Sequence, residues 1–304
     1  MKDILPDIIF KTPPVTELKG NLYKDKQIKV SMLRLDEIHP IISGNKLFKL
    51  YYFLDEASIS SHKKIITFGG AFSNHLAATA FACKEMNLKS IGIVRGEKAV
   101  RLSHTLQFCL DHRMELQFVS REDYKKINEK DFLDGLKKQH SDHILIPEGG
   151  FSVKGKKGAS LIWQFIDTNF THIAMPVGTA TTFAGIVNAN TSAAEIIGFG
   201  VLKNLNDIGH WFNELGVGRE KKFVFNNDYH FGGYAKKTDE LISFINDFYL
   251  RQKIPLDFVY TGKMMFGVND LVEKEYFSPG SRILCIHTGG LQGNNSLPHE
   301  RLVF

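Results

Sequence analysis

Thr67-Phe68-Gly69-Gly70-Ala71-Phe72-Ser73-Asn74-His75 leaves a short apolar strand through two glycines and enters a helical stretch from Leu76 to Met86. The alternation repeats along the chain, with strands predicted near 64–68, 90–94, 115–119, 143–147, 172–177, 195–201, 222–226, 256–260 and 282–287. Short apolar runs separated by helices of about 10–15 residues are the pattern of βαβ units, whose strands pair in parallel and are covered on both faces. Upstream, residues 27–35 alternate as a half-buried strand does, and Ser43-Gly44-Asn45-Lys46-Leu47-Phe48-Lys49-Leu50 opens an apolar-periodic helix running through Leu54. The expected fold is therefore α/β, with open twisted, mostly parallel sheets flanked by helices.

A chain of 304 residues suits two lobes better than one. The glycine-rich stretch from Glu148-Gly149-Gly150-Phe151-Ser152 to Gly158 reads as a crossing point between them. We expect residues 50–147 to form a smaller lobe inserted into a larger one built from 1–49 and 148–304. Apolar residues at 43% and charged residues at 23% describe an ordinary folded chain. The formal charge of +5 is dispersed, and the compact basic cluster Lys154-Gly155-Lys156-Lys157 is too short for a nucleic-acid footprint. Cys83, Cys109 and Cys285 are odd in number and far apart, which argues against a disulfide framework or a metal site. Met1-Lys2-Asp3-Ile4-Leu5-Pro6-Asp7 lacks a signal-peptide core, and no apolar run reaches about 18 residues, so a cytoplasmic protein without a membrane span is expected.

Ligands of open α/β sheets bind at the carboxyl ends of strands, which directs attention to four turns. The Gly69 to His75 turn also fits a plain loop with Ser73 or Asn74 as helix cap. Gly178-Thr179-Ala180-Thr181-Thr182 follows the strand at 172–177. It offers small residues, hydroxyls and a helix N-terminus to an anion, without the lysine of a nucleotide P-loop. A monophosphate suits it better than a triphosphate. The third turn is Phe258-Val259-Tyr260-Thr261-Gly262-Lys263, and the fourth His287-Thr288-Gly289-Gly290. Each alone fits a packed turn; four in one chain point to a shared cavity. Lys46 and Lys49, three apart, read on spacing alone as solvated cations on one helix face.

The Ser43 to Leu50 segment, Gly69 to His75, Val259-Tyr260-Thr261-Gly262-Lys263-Met264-Met265-Phe266-Gly267 and His287 to Gly290, in that order, resemble the 1-aminocyclopropane-1-carboxylate deaminase / D-cysteine desulfhydrase family. The resemblance spans about residues 30–293. It implies a tryptophan synthase β-like, fold-type II enzyme with pyridoxal 5'-phosphate between its lobes, a small amino-acid substrate and a homodimer. Carried over residue by residue, Lys46 resembles the Schiff-base lysine and Lys49 a supporting cation at the cofactor phosphate. Asn74 matches the residue at the cofactor 3'-oxygen, and Ser73 the serine at the substrate carboxylate. Gly178, Thr179, Ala180, Thr181 and Thr182 match the phosphate cradle, although Ala180 stands where many relatives have glycine. Tyr260 and Tyr234, the latter in Phe231-Gly232-Gly233-Tyr234-Ala235, match two active-site tyrosines.

Thr261 stands where deaminases of the family carry a glutamate facing the pyridine nitrogen and desulfhydrases a threonine. A neutral hydroxyl there can donate to an unprotonated nitrogen, which weakens the electron sink relative to a carboxylate partner. The resemblance then implies β-elimination from D-cysteine or a similar amino acid, giving pyruvate and ammonia. The alternatives are ring opening of 1-aminocyclopropane-1-carboxylate to 2-oxobutanoate and, outside catalysis, a small-ligand-binding α/β protein. Leu291-Gln292-Gly293-Asn294-Asn295 departs from the family's aliphatic and aromatic run, at a place that bears on the substrate.

Overall fold

The computed structural model describes residues 10–60, 64–140, 142–203, 205 and 208–304. The leader reading made on Met1 to Asp7 lies outside them. The strands are β1 (Val15–Glu17), β2 (Lys29–Arg34), β3 (Lys64–Gly69), β4 (Lys89–Arg95), β5 (Met114–Val119), β6 (Ile144–Ile146), β7 (His172–Val177), β8 (Glu195–Gly200), β9 (Val224–Asn226) and β10 (Arg282–His287). They form a six-stranded sheet in the order β1-β2-β10-β7-β8-β9 and a four-stranded sheet in the order β5-β4-β3-β6. Among the described residues, only the edge pair β1–β2 is antiparallel, and the other pairs run parallel. The fold class follows the sequence pattern.

Burial explains why the strands read as apolar runs rather than alternations. Five of the six residues of β3, β7, β8 and β10 are buried, as helices on both faces of a parallel sheet require. Close packing of helices against this core depends on small residues. A Cβ added at Gly158, in the helix Val153–Ser160, would lie 2.0 Å from the Phe48 carbonyl oxygen, so the glycine lets that helix sit directly on Asn45–Ile59.

One predicted strand is absent. Residues 256–260 form no strand; Phe258 to Tyr260 is a turn that leads into the helix Thr261–Glu273. The cause is Asp257, whose carboxylate accepts from the backbone N–H groups of Val259 (2.9 Å), Tyr260 (2.6 Å) and Thr261 (3.0 Å). Amides that a strand would offer to a neighbour are satisfied locally instead. Among the described residues, no helix is long and apolar enough to cross a membrane.

Candidate active site

The carboxyl ends of β3, β7 and β10, together with the Asp257 turn, converge with the first turn of Asn45–Ile59 on two adjoining compartments. The narrow one is lined by Lys46, Lys49, Gly178 to Thr182, Tyr260 and Thr288. The wide one, about 800 Å³, is lined by Gly70 to Asn74, Arg95, Glu148, Tyr234 and Tyr260 among others. Tyr260 belongs to both and forms the wall between them.

The placement of Lys46 rests on a close backbone approach. Gly44, the residue before the helix, has φ +71°, and a Cβ there would lie 1.9 Å from the Thr288 carbonyl oxygen. That oxygen accepts from the Asn45 N–H at 3.0 Å, so the Lys46 helix starts against the end of β10. The Asn45 amide donates to Thr182 Oγ1 at 2.8 Å, tying the same turn to the β7 loop. Lys46 Nζ donates to Asn45 Oδ1 at 2.6 Å and lies 5.8 Å from the centre of the Tyr260 ring. Burial lowers its pKa to about 8, against a smaller upward pull from Asp257. It is therefore not the solvated cation that its spacing alone describes.

Lys49 is buried, and its Nζ donates to the Gly149 carbonyl at 2.9 Å and to Thr179 Oγ1 at 3.4 Å. Burial, and then the Lys46 charge, hold its pKa well below the ordinary lysine value. Around it, Thr179 Oγ1 and Thr181 Oγ1 lie 3.3 Å apart at the start of the helix Thr181–Ala189. Ala180 takes a left-handed conformation, φ +55°. A glycine adopts that backbone at no steric cost, which is the physical meaning of the family's glycine at this place.

On the facing side, Ser73 caps the helix Asn74–Glu85, its Oγ accepting from the Leu76 N–H at 3.2 Å. The capping role is real, and the residue also lines the wide compartment. Asn74 Nδ2 donates to the Gly290 carbonyl at 3.0 Å, while its buried Oδ1 has no partner among the described residues. Tyr234 and Tyr260 meet edge to face with ring centres 6.2 Å apart. Burial, followed by the Tyr234 neighbour, pushes the Tyr260 hydroxyl well above its usual range.

Thr261, which the resemblance puts at the cofactor ring, has its hydroxyl engaged by Asp257. It is fully buried, its Oγ1 donates to Asp257 Oδ2 at 2.7 Å and accepts from the Asp257 N–H at 2.9 Å, and it lines neither compartment. Thr288, quoted in the sequence motif but given no role, lines the narrow compartment instead. Asn45, Asp257 and Arg95 were also missed. Each had a signal: Asn45 adjoins Lys46, Asp257 precedes the turn at capping distance, and Arg95 directly follows the strand predicted at 90–94.

Comparison with known proteins identifies the family. The family model for pyridoxal-phosphate dependent enzymes matches residues 11–289. A Pyrococcus horikoshii protein named "Putative 1-aminocyclopropane-1-carboxylate deaminase" is 32% identical over 269 residues, covering 83% of this chain and 81% of its own. The Arabidopsis thaliana mitochondrial bifunctional D-cysteine desulfhydrase/1-aminocyclopropane-1-carboxylate deaminase is 29% identical over 279 residues, covering 83% of this chain and 70% of its own. A crystal structure described as an ACC deaminase homologue superposes with a TM-score of 0.81 at 27% identity, over 96% of this chain and 95% of that one. The chain belongs to the pyridoxal-phosphate dependent enzymes, in the group that holds the 1-aminocyclopropane-1-carboxylate deaminase / D-cysteine desulfhydrase relatives.

Proposed function

We propose that this chain is a lyase that removes a β substituent from a small amino acid, D-cysteine or a close analogue, releasing pyruvate and ammonia. The observation that carries it is the Lys46 amine, lowered to about 8 by burial and set between the hydroxyl cradle and the Ser73-Asn74 turn. The residues fit pyridoxal phosphate. Thr179, Thr181 and Lys49 at a helix start suit its phosphate, and Asn74, with a buried amide oxygen lacking a partner, suits a polar ring substituent.

When bound, the cofactor supplies an electron sink for negative charge at the substrate Cα. Lys46, close to half unprotonated at about pH 8, can act as nucleophile towards the cofactor aldehyde and afterwards hold the Cα proton. The Ser73 hydroxyl and the helix N-terminus behind it orient the substrate carboxylate. Tyr260 and Tyr234 keep their protons at neutral pH and can donate to the departing group.

The relatives' names include both elimination and ring opening. Elimination is favoured here by Thr261: the place of the deaminase glutamate holds a neutral side chain whose hydroxyl is committed to Asp257. The test is a panel of D- and L-amino acids with 1-aminocyclopropane-1-carboxylate, assayed for 2-oxo acid. Pyruvate from D-cysteine is expected; 2-oxobutanoate from the cyclopropane substrate would reverse the preference.

The same proposal includes the division into a 50–147 lobe and a lobe from 1–49 and 148–304, supported by the four-stranded sheet lying wholly within 64–146. A cytoplasmic setting is supported by three free, buried thiols. A homodimer rests on the family resemblance, and size-exclusion chromatography with light scattering checks it.

A further inference from the structure

We infer that the wide compartment accepts an amino acid whose side chain ends in a second anionic group, held by Arg95 with Arg121. This rests on the lyase reading for the reacting end of the substrate and adds the class of side chain beyond it. Arg95 ends β4 at the carboxyl edge of the four-stranded sheet. Its guanidinium lies against the Gly70 to Asn74 turn, with Nη2 3.4 Å from where a Gly70 Cβ would stand, and 5.7 Å from the centre of the Tyr124 ring. Arg121 follows β5 in the next turn, with Nε 3.9 Å from where a Cβ of Gly96 would stand. Both guanidiniums line the wide compartment, as does Lys125.

Among the described residues neither guanidinium has a carboxylate within ion-pair distance. Arg34, by contrast, is neutralised by Asp36 at 2.6 Å and Glu37 at 2.8 Å. Two carboxylates belong to the same lining, and each is held by uncharged donors. Glu148 accepts from the Tyr124 hydroxyl at 2.9 Å, and Asp257 is taken up by its own turn. With Lys125, the exposed Arg95 and Arg121 outnumber the two carboxylates of the lining three to two, and their guanidiniums offer planar, multi-donor groups that suit carboxylate, sulfonate or phosphate.

The experiment is calorimetric binding of D- and L-glutamate against D- and L-glutamine to the cofactor-loaded protein. These pairs have the same length and differ in distal charge. The charged member of the preferred hand is expected to bind at least about tenfold more tightly, with a ratio that shrinks as salt is raised. In Arg95→Gln the ratio should fall towards one. A ratio near one in the natural protein would overturn the inference. So would an equal loss for both members in Arg95→Gln, which would place Arg95 on the α-carboxylate. Release of pyruvate from β-chloroalanine tests the lyase reading separately: its absence counts against that reading alone, because the affinity ratio is read without turnover.

Discussion

Asp257 accepts three backbone N–H groups and the Thr261 hydroxyl with none of its own surface exposed. Asp257→Ala strands those donors at the start of the helix that follows Tyr260. It should cost about 3 kcal/mol, read as a lower denaturant midpoint at unchanged slope. Lys46 shows the opposite case, a charge that burial makes easy to lose. Below about pH 8 its unprotonated fraction rises about tenfold per pH unit. The rate at which the apoprotein develops its visible band on mixing with pyridoxal phosphate should rise likewise and level off above that pH. A rate flat from pH 6 to 8 would contradict the assigned environment. The segment around Lys46 was legible as a motif but not as a site, because spacing cannot distinguish a solvated lysine from one enclosed by turns more than a hundred residues away. The engagement of the Thr261 hydroxyl was illegible for a related reason. The partner that takes it lies four residues earlier, and a motif read one position at a time cannot show that.

The loop from Phe231 to Ala235 carries four left-handed residues, Phe231, Gly232, Gly233 and Ala235, around Tyr234. Lys263, with no exposed surface, donates from Nζ to the His230 carbonyl at 2.8 Å and the Gly233 carbonyl at 2.7 Å, fixing that loop from the helix beneath. Lys263→Met should free the loop and lower kcat/KM about 10- to 100-fold through loss of Tyr234 positioning. Burial lowers the Lys263 pKa to about 8 in the folded state, below its ordinary 10.5. Between those values the unfolded chain binds more protons, so this group's contribution makes stability rise with pH from about 8 to 10.5. The methionine variant should lack that part of the pH dependence in denaturation midpoints. Strands were legible where both faces are buried and the run is apolar, as in β3, β7 and β10. The turn at 256–260 misread as a strand because Leu256, Phe258 and Val259 are buried without being extended, and β1, three residues at a sheet edge, carries too little pattern to read.

At the scale of the molecule, four of the segments that build the cavity are the first turn of Asn45–Ile59, the end of β3, the loop after β7 and the end of β10. Fold class and parallel pairing followed from the alternation of short apolar runs and helices. Strand order did not, because β10 inserts between β2 and β7, pairings that join residues over a hundred positions apart and leave no local trace. A ligand gripping all four segments binds only the folded chain. At free cofactor 100-fold above its Kd, pyridoxal phosphate should stabilise the protein by about 2.7 kcal/mol, seen as a raised unfolding midpoint. The central claim, that Lys46 is the residue bonded to the cofactor, is tested most directly by reducing the loaded protein with borohydride and mapping the modified peptide by mass spectrometry. The account predicts the pyridoxyl group on Lys46; finding it on Lys49 or Lys263, or on no lysine, would contradict it.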